Sequence, residues 1–360
     1  MDTAAFDYDL PEGRIAQHPV EPRDSSRLLV DVGPAGDTGE RPGIDHRTVA
    51  DLPDLLDPGD LLVLNTTRVL PARLHLVKRD TGGRAEVLLL EERPDLGEGC
   101  WEALVRPGSR LAPGTVLVNP ATAELLTVEV GAEAGDGVRL VTLTAGGDRP
   151  VTEGIEASGE MPLPPYIKAP LTDPDRYQTV YADVNEAHSS AAPTAGLHLT
   201  VPTLRRIEDR GVQVANVDLT VGLGTFRPIT AERVEDHPMH AERYRVPRET
   251  IDACRETTAR GGRVVAVGTT TVRALESTAS TGAVEGHTDL FIHGDYEFRV
   301  VDRLVTNFHQ PRSSLLVMID AFAGPRWRRL YAEALAGDYR FLSFGDAMLL
   351  TRHDRWRSPA

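Results

Sequence analysis

Val264-Val265-Ala266-Val267-Gly268-Thr269-Thr270-Thr271 decides the class of fold. Four consecutive apolar residues read as a strand buried on both faces, the habit of parallel strands covered by helices. The run closes on a glycine and three threonines, and a helical stretch carrying Arg273 and Glu276 follows. Strand, small polar loop and helix form the βα junction on which open α/β sheets bind ligands, outside the carboxyl ends of their strands.

Three further runs share this design. Leu61-Leu62-Val63-Leu64 follows the turn signal Asp57-Pro58-Gly59-Asp60 and ends in Asn65-Thr66-Thr67-Arg68. In a strand expected over Val212 to Val221, Val217, Leu219 and Val221 alternate with Asp218 and Thr220, and Gly222-Leu223-Gly224-Thr225-Phe226 comes next. Two glycines at that spacing are weak evidence for phosphate binding, and the full dinucleotide fingerprint is absent. Leu304-Val305-Thr306-Asn307-Phe308-His309 leads to a helix capped by Ser313 or Ser314 and running to Gly324-Pro325, apolar nearly all round and therefore buried. The polar ends of these runs, Asn65 to Arg68, Thr220 to Thr225, Gly268 to Arg273 and Asn307 to His309, are expected to converge on one site.

A fifth stretch joins them. Ala191-Ala192-Pro193-Thr194-Ala195-Gly196-Leu197-His198 keeps side-chain bulk off the backbone, so that a ligand can approach main-chain N–H groups. Thr200 is an N-cap candidate, Pro202 falls in the first turn and Gly211 just past the end of the helix that follows. The positive end of that helix is expected to keep His198 neutral and basic. Upstream, Arg23 and Arg27 flank a short strand over Leu28 to Val30 and are in reach of an anionic group, and residues 31 to 46 read as an exposed loop.

From Pro71 to about Thr152 short alternating segments recur between Gly- and Pro-bearing turns, as in Arg73-Leu74-His75-Leu76-Val77 and Val138-Arg139-Leu140-Val141-Thr142-Leu143. That texture predicts a small antiparallel β-barrel inserted into the α/β domain, with 71–152 in the barrel and 1–70 and 153–360 in the discontinuous catalytic domain.

Bulk composition narrows the class. The chain has 360 residues, 41% of them hydrophobic, and no apolar run long enough to span a membrane; a cytoplasmic protein is expected. Cys100 and Cys254 stand apart, so neither a disulfide framework nor a thiolate metal site is suggested. A formal net charge of −15 argues against wide nonspecific nucleic-acid binding. In Asp236-His237-Pro238-Met239-His240-Ala241-Glu242, Pro238 disfavours the single helix face on which the common zinc motif depends. No metal is expected, and Glu242 is read instead as a partner for a ligand hydroxyl or ammonium.

Taken together, the motifs resemble the S-adenosylmethionine:tRNA ribosyltransferase-isomerase family of queuosine biosynthesis. The resemblance rests on Phe6 to Pro11, Ser26-Arg27-Leu28-Leu29, Leu64-Asn65 through Arg68, Leu163-Pro164-Pro165-Tyr166-Ile167, Tyr177-Gln178-Thr179-Val180-Tyr181, Ala191 to His198, Val221 to Pro228, Met239-His240-Ala241-Glu242, Val267 to Ser277, Thr306-Asn307-Phe308-His309 and Gly345-Asp346-Ala347-Met348. It implies a Rossmann-like α/β domain interrupted by a small β-barrel. It also implies transfer and isomerisation of the ribosyl part of S-adenosylmethionine onto 7-aminomethyl-7-deazaguanine at the tRNA wobble position, giving epoxyqueuosine and releasing adenine and methionine. S-adenosylmethionine is then a consumed substrate and no separate cofactor is needed; tRNA is the partner and a monomer the expected state. The sulfonium acidifies its neighbouring C5′ hydrogens, so one well-placed base suffices to start the sequence.

His198 or His309 is the expected base or proton shuttle. Arg23, Arg27, Asn65, Arg68, Thr194, Gly196, Gly224, Thr225, Glu242, Thr269, Thr270, Arg273 and Asn307 are the expected binding residues. Thr66, Ala169, Thr220, His293 and Gln310 stand where the family usually holds other residues, which leaves a small amine or free deazapurine as the alternative acceptor.

Overall fold

The computed structural model describes residues 1–32, 43–135, 137–184, 187–222 and 228–353. The chain divides into two units, one formed by Met1–Thr67, Pro164–Glu186 and Pro193–Ala360, the other by Arg68–Leu163 with Ala187–Ala192.

The first unit is built on a mixed nine-stranded sheet. Its strands are β1 (Arg27–Asp31), β2 (Ile44–Thr48), β3 (Leu61–Asn65), β4 (Gln213–Leu219), β5 (Glu242–Arg245), β6 (Val264–Val267), β7 (Glu285–Thr288), β8 (Arg303–Asn307) and β9 (Ala347–Thr351), in the order β7-β5-β4-β3-β6-β8-β9-β1-β2. The central β4, β3, β6 and β8 run parallel, each to its neighbour. The β8–β9 pairing is antiparallel, and so are the pairings of β4 with β5, β5 with β7 and β1 with β2, while β9 and β1 are parallel.

Every residue of β3, β6 and β8 is buried, as the apolar runs of β3 and β6 require. Leu62, Leu64, Val265, Val267 and Val305 pack with Leu199 and Ile207 into one core cluster. Ile207 belongs to helix α1 (Val201–Asp209), whose N-cap Thr200 accepts a hydrogen bond from Thr203 N–H, with Pro202 in the first turn. Gly211 follows at φ +80°, a conformation that side chains with a Cβ avoid. Helices α2 (Arg248–Ala259), α3 (Thr269–Thr281), α4 (Ser314–Ala323) and α5 (Trp327–Ala336) complete the set. Ser313 is the N-cap of α4 and accepts from Leu316 N–H.

One sequence expectation is corrected here. The stretch 31–46, read as loop, contains the start of β2, which pairs along β1 from Arg27↔Thr48 to Asp31↔Ile44; residues 33–42 lie outside the described residues. The strand Ile-Asp-His-Arg-Thr has few apolar residues because it is the sheet's outer edge.

The second unit is a closed antiparallel barrel of six strands. Around it run Arg73–Lys78, Arg84–Glu92, Cys100–Arg106, Val138–Ala145, Leu126–Gly135 and Val116–Val118, and the last pairs back to the first through Val77↔Val118. Full closure leaves none of the six with an open edge. The unit extends beyond the strand-rich texture at 71–152. A helix at Val151–Ser158 buries Ile155, Gly159–Glu160 pairs with Arg73–Leu74, and Ala187–Ser189 pairs in parallel with Arg68–Val69.

Candidate active site

The parallel centre of the sheet brings four carboxyl ends to one side: Leu219 of β4, Asn65 of β3, Val267 of β6 and Asn307 of β8. What each end does there differs.

Asn65 is fully buried and laces three segments together. Its amide donates to Leu219 C=O at 3.0 Å and to Thr270 Oγ1 at 3.2 Å, and its oxygen accepts from Leu219 N–H at 3.1 Å and Thr67 N–H at 3.2 Å. Both donors and the acceptor are therefore engaged by protein. Asn307 makes the matching knot at the end of β8. Its amide NH₂ faces Leu342 C=O at 3.2 Å and Asp346 C=O at 3.5 Å, and its oxygen accepts from Thr194 Oγ1 at 3.1 Å. That orientation presents an N–H to His198 Nε2 at 2.8 Å, so Nε2 is the unprotonated nitrogen. The other nitrogen, Nδ1, then carries the proton and donates to Ser26 Oγ at 2.9 Å, and Ser26 passes its own hydroxyl to Arg23 C=O at 3.1 Å.

His198 lies in a short 3₁₀ turn, Thr194–His198, whose last four residues are buried. Burial drives its pKa down to about 3, helped by Arg340, Arg176 and Arg23. The ring is neutral, as the sequence suggests, but the chief cause is desolvation rather than the end of helix α1. Gly196 has a packing reason of its own. A Cβ there would meet Tyr181 Oη at 2.0 Å and Thr179 Cγ2 at 2.9 Å, so the turn is glycine because another side chain already fills the space.

His309 differs from His198 in one respect. Its Nε2 is 2.9 Å from Thr306 Oγ1, while Nδ1 has no hydrogen-bond partner among the described residues. Burial lowers its pKa to about 3 as well. His309 lines a cleft with Tyr166, Thr194, Asn307, Gln310, Ser313, Leu315 and Ser343; His198 does not. Tyr166 and Ser343 meet across that cleft at 2.7 Å.

A second cleft, sharing Leu315 with the first, is lined by Met239, Thr269, Thr270, Arg273, Phe291 and Met318 among others. Thr269 and Thr270 open helix α3 after Gly268, whose φ of +89° turns the chain from strand into helix. The first-turn N–H groups of Thr269, Thr270 and Thr271 meet no acceptor among the described residues, which suits an electron-rich ligand atom. Arg273, 3% exposed, donates to Glu242, to Thr288 C=O at 3.0 Å and to Leu290 C=O at 3.1 Å. Burial brings the guanidinium down to about 10, still charged at neutral pH. Glu242 also accepts from Gly222 N–H at 3.0 Å. The carboxylate read as a ligand partner is thus committed to Arg273 and to the start of the loop after β4.

Other expected residues are placed away from the clefts. Arg23 donates to Gln178 C=O and Asp175 C=O, both at 2.7 Å, and Arg27 stacks on Tyr339 with its guanidinium carbon 3.7 Å from the ring centre while donating to Gly337 C=O. Both are occupied by protein rather than held open for an anion. Arg68 belongs to the barrel unit, where it pairs with Glu156 at 3.2 Å. Gly224 and Thr225 lie outside the described residues. Ser26 and Thr306, which hold the two imidazoles, belong to quoted motifs, but nothing in the sequence singles them out as partners of the histidines.

The queuosine biosynthesis protein family matches residues 3–350. A relative from Thermotoga maritima named S-adenosylmethionine:tRNA ribosyltransferase-isomerase is 49% identical over 356 residues, covering 97% of this chain and 100% of its own. One of the same name from Synechococcus elongatus is 46% identical over 353 residues, covering 96% of this chain and 95% of its own. The crystal structure of S-adenosylmethionine tRNA ribosyltransferase from Thermotoga maritima aligns with a TM-score of 0.52 at 40% identity, over 96% of this chain and 99% of that one.

Proposed function

The chain belongs to the queuosine biosynthesis protein family, and we propose that it transfers and isomerises the ribosyl part of S-adenosylmethionine onto 7-aminomethyl-7-deazaguanine at the tRNA wobble position. The product is epoxyqueuosine, with adenine and methionine released. The observation that carries this reading is the 49% identity to an enzyme of that name along its whole length. S-adenosylmethionine is consumed as a substrate, and the chemistry asks the protein for a base, for orientation and for stabilisation of the departing adenine.

The two histidines divide that work. His309 lines the cleft and, among the described residues, has a ring nitrogen with no hydrogen-bond partner, so it is the group that takes a proton from the sulfonium-activated C5′. His198, with both nitrogens engaged, is a positioning residue that holds Asn307 and through it Thr194. Thr269 and Thr270 offer the start of α3 to the donor or acceptor, and the Arg273–Glu242 pair holds the wall behind them. In the same reading the four parallel central strands form a Rossmann-like layer, supported by the direct passage from β6 into α3.

The test offers purified protein S-adenosylmethionine with tRNA carrying the aminomethyl-deazaguanine and, separately, with the free base. Adenine and methionine are expected with the tRNA only. No adenine in either arm overturns the reading, and equal or faster release with the free base overturns the acceptor.

A further inference from the structure

His309 is held by more than its ring. Its backbone N–H donates to Tyr331 Oη at 2.9 Å, and its backbone C=O accepts from Tyr8 Oη. The two phenols come from opposite parts of the chain: Tyr8 follows the short turn Thr3–Phe6, and Tyr331 sits in α5. Their rings meet edge to face with centroids 5.2 Å apart, so the pair forms a single support on both sides of one residue.

Apolar packing alone does not require those hydroxyls. Phe308, next in the chain, is completely buried against Tyr331, Tyr339 and Phe341 at centroid distances of 5.4, 5.6 and 4.7 Å, and phenylalanine at 331 would bury it as well. What the hydroxyls add is satisfaction of the backbone polar groups flanking His309 and, with it, a restraint on the φ and ψ that aim its ring. Thr306 Oγ1 at Nε2 supplies the third restraint, on the side chain. Backbone N–H, backbone C=O and one ring nitrogen are thus each tied to a different residue.

We propose that Tyr8 and Tyr331 are positioning residues for the reaction, acting through His309 to hold its imidazole at the reacting carbon. This rests on the reading that His309 takes the proton. Misplacement by about 1 Å costs on the order of a hundredfold in turnover, so partial loosening by loss of one hydroxyl is expected to cost roughly tenfold.

The experiment is a double-mutant cycle on the full chain, with kcat, KM for S-adenosylmethionine and Tm measured for Tyr331→Phe, His309→Gln and the pair. Expected is a roughly tenfold fall in kcat for Tyr331→Phe with KM within about twofold, and no further fall when it is added to His309→Gln. An equal fall in both backgrounds, or a change in Tm alone, overturns the positioning role and leaves His309 in the chemistry. Full activity of His309→Gln removes His309 from the chemistry and the clamp's role with it. Tyr8→Phe, at a half-buried position, runs the same cycle if Tyr331→Phe does not fold, with the same outcomes.

Discussion

The two ends of the sheet's parallel centre are both polar, yet they use different chemistry. At the amino ends, Asp60, Arg263 and Asp302 stand just before β3, β6 and β8, and Arg303 opens β8. Asp60 accepts from the Arg263 guanidinium at 2.6 Å and from the backbone N–H groups of Asp57 and Arg263, Asp302 accepts from Val264 N–H at 3.0 Å, and Arg303 donates to Leu55 C=O at 2.8 Å. At the carboxyl ends stand Asn65, Thr270, Asn307, His198 and His309, all uncharged at neutral pH, and near them the Arg273–Glu242 ion pair. Charge that is cancelled locally fastens strand starts. Neutral donors and acceptors lace the strand ends without adding charge of their own.

That contrast predicts that the ends fail in different currencies. His309→Gln is expected to lower kcat at least a hundredfold, about 2.7 kcal/mol of barrier, with Tm nearly unchanged. Asp60→Asn is expected to do the reverse: it leaves Arg263 facing a neutral amide, costs about 2–3 kcal/mol of stability in denaturant melts, and leaves kcat within about twofold at a temperature where the fold holds. A large loss of kcat in a well-folded Asp60→Asn protein breaks the comparison.

His198→Asn comes next, with an expected loss of about tenfold in turnover, or 1.4 kcal/mol, because it removes the acceptor for Asn307 but not the group taking the proton. Wild-type turnover in the folded variant shows that Asn307 needs no such partner.

How far these residues are legible in the chain depends on the distance over which their physics acts. β3 and β6 are plain in the sequence because four apolar residues in a row need both faces covered, and α1 and α4 because Thr200 and Ser313 cap them locally. β2 is hidden, since an edge strand need not alternate. Site residues are visible as types, but not as partners. Ser26 and His198 are 172 positions apart, and Asn65 and Thr270 205 apart, so nothing local distinguishes an asparagine that awaits a ligand from one already tied to the protein. Glu242 and Arg273 illustrate the same limit: each looks available alone, and together they close.

A separate effect is on pH dependence. Both histidines have folded pKa values near 3 against an ordinary 6.5, so the unfolded chain binds protons that the native one refuses, and their contribution to stability is full above about pH 6.5 and declines from there toward 3. Asp60 works later. Burial pushes its carboxyl up, but Arg263 and the N–H donors outweigh that and hold it below the usual 3.8, so its contribution survives until the pH falls through that range. Stability should therefore fall first through the carboxyl end of the sheet, and replacing both histidines should flatten the curve between about pH 4 and 6.5 in urea melts. An unchanged slope in that double variant shows that other groups carry the titration.

β9 lies between β8 and β1, and its pairing with β1, through Leu28↔Ala347 to Val30↔Leu349, has a consequence for the order of events on the ribosome. The barrel's six strands are all made by Ala145, so that unit can close its ring while more than half of the chain is unsynthesised. The first long strand of the α/β unit, by contrast, waits for Ala347 to Leu349 before its inner neighbour exists. During that wait its inner hydrogen-bonding edge is open. Of the two units, the α/β unit is thus the later to complete its sheet and the more exposed to mispairing during synthesis.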